Sequence, residues 1–464
     1  MKKLKSILII VIVEIFYLFQ LQAQNCNCKE EFLYMKGYIE KNYAGYRDKL
    51  KGKESEYNAI TEQVLNKIEK DTQTVNCFIY LGEWLSYFQD GHTGIKPNYK
   101  NYNKNRISEF KFKNQVINTS EIENIDKHNG IEGIYSFKQD TSLKVIITKN
   151  KSDEIGDYLI RMLTPFPKQK VNRGDIFGKI IESNDKKHLS LIMVGPIPAY
   201  VAKWNLEEMF IKNDAINING YISRKFEIKN LNEKILYFRI PTFFNSGEEI
   251  NNLIDNNKDL IDKTPYWVID LRGNNGGQDG SYQPITPYLY TNPIKVKGLE
   301  LLASEDNIKF YSDLMTDTTL SDGDISSISK QVENMKINIG KFIPNAENEN
   351  LEYKMDSIKK YPTNVVILMD KSCISSAEQF ILEMKQSEKV TLMGENTKGV
   401  LDYSNTGKFC LKCLPYCVSY STTRSKRIDF NQGIDNIGIA PDIKLSEDKN
   451  WIEEATKYLE NVKK

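Results

Sequence analysis

Residues 362–384 narrow the possible folds more than any other stretch. The run Val365-Val366-Ile367-Leu368-Met369 is short, apolar and β-branched at its start, with polar residues on either side. Such a run reads as a strand buried on both faces, as in a largely parallel sheet. From Ser375 onward the period changes, because Ala377, Phe380, Ile381 and Met384 recur at helical spacing. The stretch therefore predicts a strand, a short turn and a helix, with Ser375 and Ser376 in the helix's opening turn. A hydroxyl there sits among unpaired backbone N–H groups at the positive end of a helix dipole. Ser375-x-x-Glu378 also fits a capping box, which is a purely structural role. This stretch alone leaves both roles open.

A second buried strand lies upstream. Lys234 to Ile240 reads as a strand, Ile250, Leu253, Ile254, Leu260 and Ile261 mark one face of a helix, and Tyr266 to Leu271 forms another strand. That order implies a parallel pair joined by a right-handed crossover. It ends in Arg272-Gly-Asn-Asn-Gly-Gly277, a loop that presents bare backbone N–H groups and admits another chain closely. No Gly-Lys-Ser/Thr follows and the G-x-G-x-x-G spacing is absent, so neither a phosphate loop nor a dinucleotide site is indicated. A plain structural turn is the alternative.

Ahead of these, residues 29–90 read as helices, with faces such as Phe32, Leu33, Tyr38 and Ile39, then Ile60, Val64, Leu65 and Ile68. They stop at Asp90-Gly-His-Thr-Gly94, where two glycines around His92 make a turn. Residues 100–230 carry short alternating runs, such as 143–148 and 189–194, that suggest a β-rich module. Val390 to Val400 reads as a strand entering a loop, Asp435 sits in a glycine-bounded turn, and residues 451–462 form an amphipathic closing helix.

Composition sets the remaining bounds. Lysine plus arginine number 63 against 62 acidic residues, so no polyanion such as nucleic acid is called for. His92, His128 and His188 are the only histidines, which disfavours a multi-histidine metal centre. Lys2, Lys3 and Lys5 before the apolar stretch from Ile7 to Leu21, with Ala23 at a cleavage point, read as an export signal over residues 1–23; a retained anchor is the alternative. Of the seven cysteines, some are then expected to pair oxidatively. Within Cys410-x-x-Cys413-x-x-x-Cys417 one disulfide is favoured over zinc, because no fourth ligand or companion histidine lies nearby.

Taken together, five short stretches resemble the tail-specific, or C-terminal processing, serine protease family, and its tricorn-like, histidine-using branch most closely. They are Asp90-Gly-His-Thr93, Asp270-Leu-Arg-Gly-Asn-Asn-Gly-Gly277, Cys373-Ile-Ser-Ser-Ala-Glu378, Gly394-Glu-Asn-Thr397 and Gly438-Ile-Ala-Pro-Asp442. They occur in the family's order across residues 90–442, about three quarters of the chain. The resemblance implies an α/β fold with a crotonase-like (ClpP/crotonase-type) protease core over residues 231–464. An N-terminal helical domain (24–96) and an intervening β-rich module (97–230) would precede it.

By the same resemblance, Ser375 is the nucleophile, His92 the general base and Asp435 the group that orients the base, standing where the family has glutamate. The oxyanion donors would be the N–H groups of Ser376 and Gly276. Each part answers a chemical need: a neutral hydroxyl requires a base, and the base a partner that fixes its tautomer. Each donor to the tetrahedral oxyanion contributes about 10² to 10³ in rate. One departure stands out. The family's lysine-dependent branch places its base where this chain has Val400, and Lys398 lies two residues earlier on the same face of an extended strand.

The implied activity is that of an exported serine endopeptidase, periplasmic or extracellular, acting on unfolded or peptide substrates through an acyl-enzyme at Ser375. No cofactor, metal, nucleic acid or stable membrane insertion after signal removal is expected, and the oligomeric state stays open. The alternatives are a Ser375–Lys398 dyad protease, a catalytically inactive relative that binds extended peptides, and a hydrolase of non-peptide esters.

Overall fold

The computed structural model describes residues 26–462, apart from 99–116, 118–129, 213–223 and shorter stretches at 72, 74–75, 138–139, 152–154, 166–171, 184–187, 194–197, 205, 207–208, 319, 346–349 and 447. The expected export signal and His128 lie outside the described residues.

A six-stranded sheet forms the centre of the second half. Its order is Ile443–Lys444, Val390–Gly394, Asn364–Met369, Tyr266–Asp270, Ile235–Arg239 and Glu227–Asn232. All neighbours run parallel except the last pair, which is antiparallel. Side chains alternate along each strand, so one strand feeds two cores. Val365, Ile367 and Met369 face one side, with Phe380, Ile381 and Met384 of helix Ser376–Met384 packed on them. Val366 and Leu368 face the other, under Trp451, Ala455 and Leu459 of helix Trp451–Asn461. That two-sided burial is why the sequence there is apolar without alternation. The described fold is therefore mixed α/β with several sheets.

Helices Cys28–Asn42, Tyr46–Leu50, Glu54–Lys70 and Cys77–Leu85 make up the N-terminal part. Their core, including Phe32, Met35, Trp84 and Phe88, continues into Phe409, Tyr416, Val418 and Tyr420 of a second sheet. Leu33 and Leu260, read as core-facing from the sequence, are 49% and 38% exposed; Phe32 and Ile261 beside them take the buried positions instead. The strand Gly94–Pro97, immediately after the His92 turn, pairs antiparallel with residues 416–419 of strand Tyr416–Ser425. A seven-stranded antiparallel sheet built from residues 133–212 lies between the two halves in sequence.

Six cysteines pair as Cys26–Cys413, Cys28–Cys77 and Cys410–Cys417, and Cys373 is free and buried. Among the described residues, the group spaced to hold a metal ion is Cys26, Glu31 and Cys413, whose two sulfurs are joined to each other. No helix among the described residues is long and apolar enough to cross a membrane.

Candidate active site

The strand ending at Met369 turns through residues 370–374 and enters the helix at Ser375. Ser375 has φ 56° and ψ −126°, in the region that side-chain-bearing residues avoid. Strain of this kind amounts to roughly 1–3 kcal/mol, and the surroundings must hold it in place. Here they do: the Ser375 N–H donates to the Val400 carbonyl at 3.1 Å and to Glu378 Oε2 at 3.1 Å. The capping box read from the sequence is present. Its glutamate also reaches outward, accepting from Thr397 Oγ1 at 2.5 Å, Gly399 N at 2.7 Å and Val400 N at 2.8 Å. Burial raises the Glu378 pKa, while those four donors work against the rise. The carboxylate thus binds the Ser375 turn to the 397–400 loop.

The helical region delivers His92. Gln89 takes a left-handed conformation (φ 48°) and ends the short helix Ser86–Phe88. The imidazole Nε2 then lies 3.2 Å from Ser375 Oγ, across 283 residues of sequence. Asn436 Nδ2 donates to the Gln89 carbonyl at 2.9 Å, tying this turn to the loop that holds Asp435.

Asp435 sits in that loop with both oxygens engaged. Oδ1 accepts the N–H groups of Leu401 (3.1 Å) and Asp402 (2.9 Å), and Oδ2 meets Lys49 Nζ at 3.3 Å. Burial lifts its pKa to about 6; Lys49 opposes the rise and the neighbouring Asp90 adds to it. No hydrogen bond joins Asp435 to His92 among the described residues. The carboxylate nearest the ring is Asp90, whose Oδ1 is 3.8 Å from Nδ1. Asp90 belongs to the motif that pointed to His92, yet spacing alone could not give it a role. Lys49 left no signal at all, being a helix-surface lysine 386 residues from its partner.

Lys398 has an exposed side chain, and its N–H bonds the Cys373 carbonyl at 3.1 Å. Val400 is 5% exposed and faces the His92 turn.

The glycine loop is fixed from below. Buried Asp270 accepts from Arg272 Nε at 2.9 Å, from Arg272 NH2 at 2.7 Å and from the Tyr237 hydroxyl at 2.9 Å. Burial alone would raise the Asp270 pKa, but Arg272 and Arg239 outweigh it and hold it below the ordinary value. Gly273 N–H donates to Asp370 Oδ1 at 3.0 Å. Above this base Gly276 presses on the Ser375 turn: a Cβ there would stand 2.6 Å from the Ile374 carbonyl and 2.9 Å from Ser375 Cβ. The Gly276 N–H, however, is donated to Asn274 Oδ1 at 2.9 Å. The Gly276 carbonyl accepts from Phe243 N–H at 2.9 Å, so the Gly277 N–H of the same trans peptide points away from Phe243. Neither that N–H nor the Ser376 N–H meets an acceptor among the described residues. Ser376 Oγ donates to the Gly277 carbonyl at 3.0 Å, closing the loop onto the helix.

Strand, strained serine, histidine and glycine loop together make an arrangement suited to hydrolysis by a serine hydroxyl. Residues 234–445 match the family model described as peptidase family S41, and this match makes the protein a serine-type peptidase. Among solved structures it is similar to mature CPAF complexed with lactacystin, at 13% identity and a TM-score of 0.52, covering 94% of this chain and 97% of that one. It is also similar to mature CPAF alone, at 12% identity and a TM-score of 0.51, covering 94% and 96%. At such identities the likeness is one of fold. No curated protein sequence matches the chain.

Proposed function

We propose that the protein is an exported endopeptidase of the tricorn-like, histidine-using branch, with a crotonase-like core, that cleaves unfolded or peptide substrates. The observation carrying this reading is the 3.2 Å approach of His92 Nε2 to Ser375 Oγ, made by a serine in a strained conformation. In the first step Oγ attacks the scissile carbonyl carbon while its proton passes to Nε2. The imidazolium returns that proton to the leaving amine as the C–N bond breaks, and an acyl ester remains on Ser375. Water, deprotonated by the same nitrogen, then releases the acid and restores the serine. The oxyanion of each tetrahedral intermediate would be met by Ser376 N–H and by the glycine loop. Within that loop Gly277 N–H is the better donor, since Gly276 N–H already serves Asn274. Export is supported by three disulfides among seven cysteines, a pairing suited to an oxidising compartment.

The test is covalent labelling by a serine-directed phosphonate, with the adduct mapped, beside peptide turnover by Ser375→Ala. A label on Ser375 and a loss of at least about 10³ in kcat agree with the reading. Absence of any label, with extended peptides still bound, points to the inactive binding relative. Turnover of simple esters but not of peptides would favour the esterase.

A further inference from the structure

We infer that Asp90, rather than Asp435, is the positioning residue that fixes the tautomer of His92 and balances the charge it acquires. The inference rests on the reading of Ser375 and His92 given above. Asp90 is a buried carboxylate, its side chain 1% exposed. Oδ1 accepts the His92 backbone N–H at 2.9 Å, and Oδ2 accepts the hydroxyls of Thr93 at 2.9 Å and Ser421 at 2.8 Å. Those bonds join the turn that carries the base to strand Tyr416–Ser425 of the second sheet. Beside them stands Tyr43 from the helical part, whose hydroxyl pKa is held well above its ordinary value by burial and then by Asp90 itself.

No lysine or arginine pairs with Asp90 among the described residues. An ionised carboxylate out of water needs a countercharge, and the one cation that can arise against Asp90 is the His92 imidazolium. Asp435 is in the opposite position, since Lys49 already neutralises it and two backbone N–H groups occupy its other oxygen. His92 Nδ1 supplies the second half of the argument. It is buried and has no hydrogen-bond partner, with Asp90 Oδ1 at 3.8 Å. A charge-assisted N–H···O bond closes to about 2.8 Å, so a ring movement of about 1 Å completes it. With the proton held on Nδ1, Nε2 is left as the lone pair facing Ser375. When Nε2 takes the serine proton, the Asp90 carboxylate beside the ring stabilises the imidazolium. The titratable and charged groups around Asp90 are thus the His92 ring of its own turn, the Asp435–Lys49 pair and the phenol of Tyr43.

Nitrogen-15 NMR of histidine-labelled protein reads the tautomer directly, because only His92, His128 and His188 contribute and His92→Asn assigns the signal. The neutral ring is expected to carry its proton on Nδ1. Asp90→Asn should move it toward the Nε2–H form, lower kcat/KM by about 10² to 10⁴, and shift the acid limb of the pH profile to lower pH. Asp435→Asn should lose at least ~10-fold less and move that limb less. An Nε2–H ring in the unaltered protein overturns the inference, as does Asp435→Asn proving the more damaging change. Should Asp90→Asn not fold, the tautomer of the unaltered protein still decides. Activity surviving in Ser375→Ala or His92→Asn would instead overturn the reading of the site, while the tautomer continues to report on Asp90.

Discussion

Val400 occupies the space that a side chain on Gly91 would need, since a Cβ built there would lie 2.6 Å from Val400 Cγ1 and 2.8 Å from Cγ2. The position that holds a lysine in the lysine-dependent branch is thereby filled by a valine packed under the histidine turn. Gly91 has no positive φ, so alanine would meet a contact problem there and no backbone one. Gly91→Ala should therefore push His92 off Ser375 and reduce kcat by about 10² if the displacement reaches about 1 Å. Adding Val400→Ala should restore most of the rate. Steady-state kinetics of the two single variants and the double give the coupling, and a double variant no better than Gly91→Ala would remove the contact as the cause.

The conformation of Ser375 makes a separate prediction about stability. Alanine and glycine both remove the hydroxyl, but only glycine adopts φ 56°, ψ −126° without strain. Ser375→Gly should be inactive yet more stable than Ser375→Ala by about 1 kcal/mol, after allowing for glycine's greater freedom in the unfolded chain. Urea unfolding of the two variants measures the difference. An alanine variant of equal or greater stability would mean that the turn relaxes once the hydroxyl is gone.

Asp435 links stability to pH. Burial raises its pKa from 3.8 to about 6, so the folded chain holds this proton more tightly than the unfolded chain. The associated stabilisation is complete below the unfolded value and is lost as pH rises through about 6. Roughly 2 units correspond to about 3 kcal/mol. Asp435→Asn is neutral at every pH, so its stability relative to the parent should improve between about pH 4 and 7 and level off above. Denaturant unfolding at several pH values tests this sign. A difference that shrinks over that interval would show that Lys49 holds the carboxylate ionised.

The central sheet and the turn that carries Ser375 were legible because their signals are local. Val365 to Met369 is apolar throughout since both faces of that strand are covered, and the helical period begins where the chain turns. The glycine loop announced a close approach, and the structure shows what approaches: Ser375 at Gly276, and the Phe243 backbone at Gly277. What could not be read depends on contacts that no spacing encodes. The strained φ at Ser375 carries no glycine to mark it. Lys49 meets Asp435 only because a helix and a loop distant in sequence fold together, and the donor available in the glycine loop depends on where the Asn274 side chain points. Of the three cysteines clustered near residue 413, the middle one is bonded to Cys26, 387 residues away, which its neighbours' spacing could not reveal.

The pairing of residues 94–97 with 416–419 also orders events in time. A ribosome makes His92 early and Ser375 late, yet the strand that steadies the His92 turn emerges later still. A nascent chain that has passed residue 375 but not reached 416 carries both reactive groups without the ladder that brings them into register. The placement of the His92 turn therefore waits until residues 416–419 have been made.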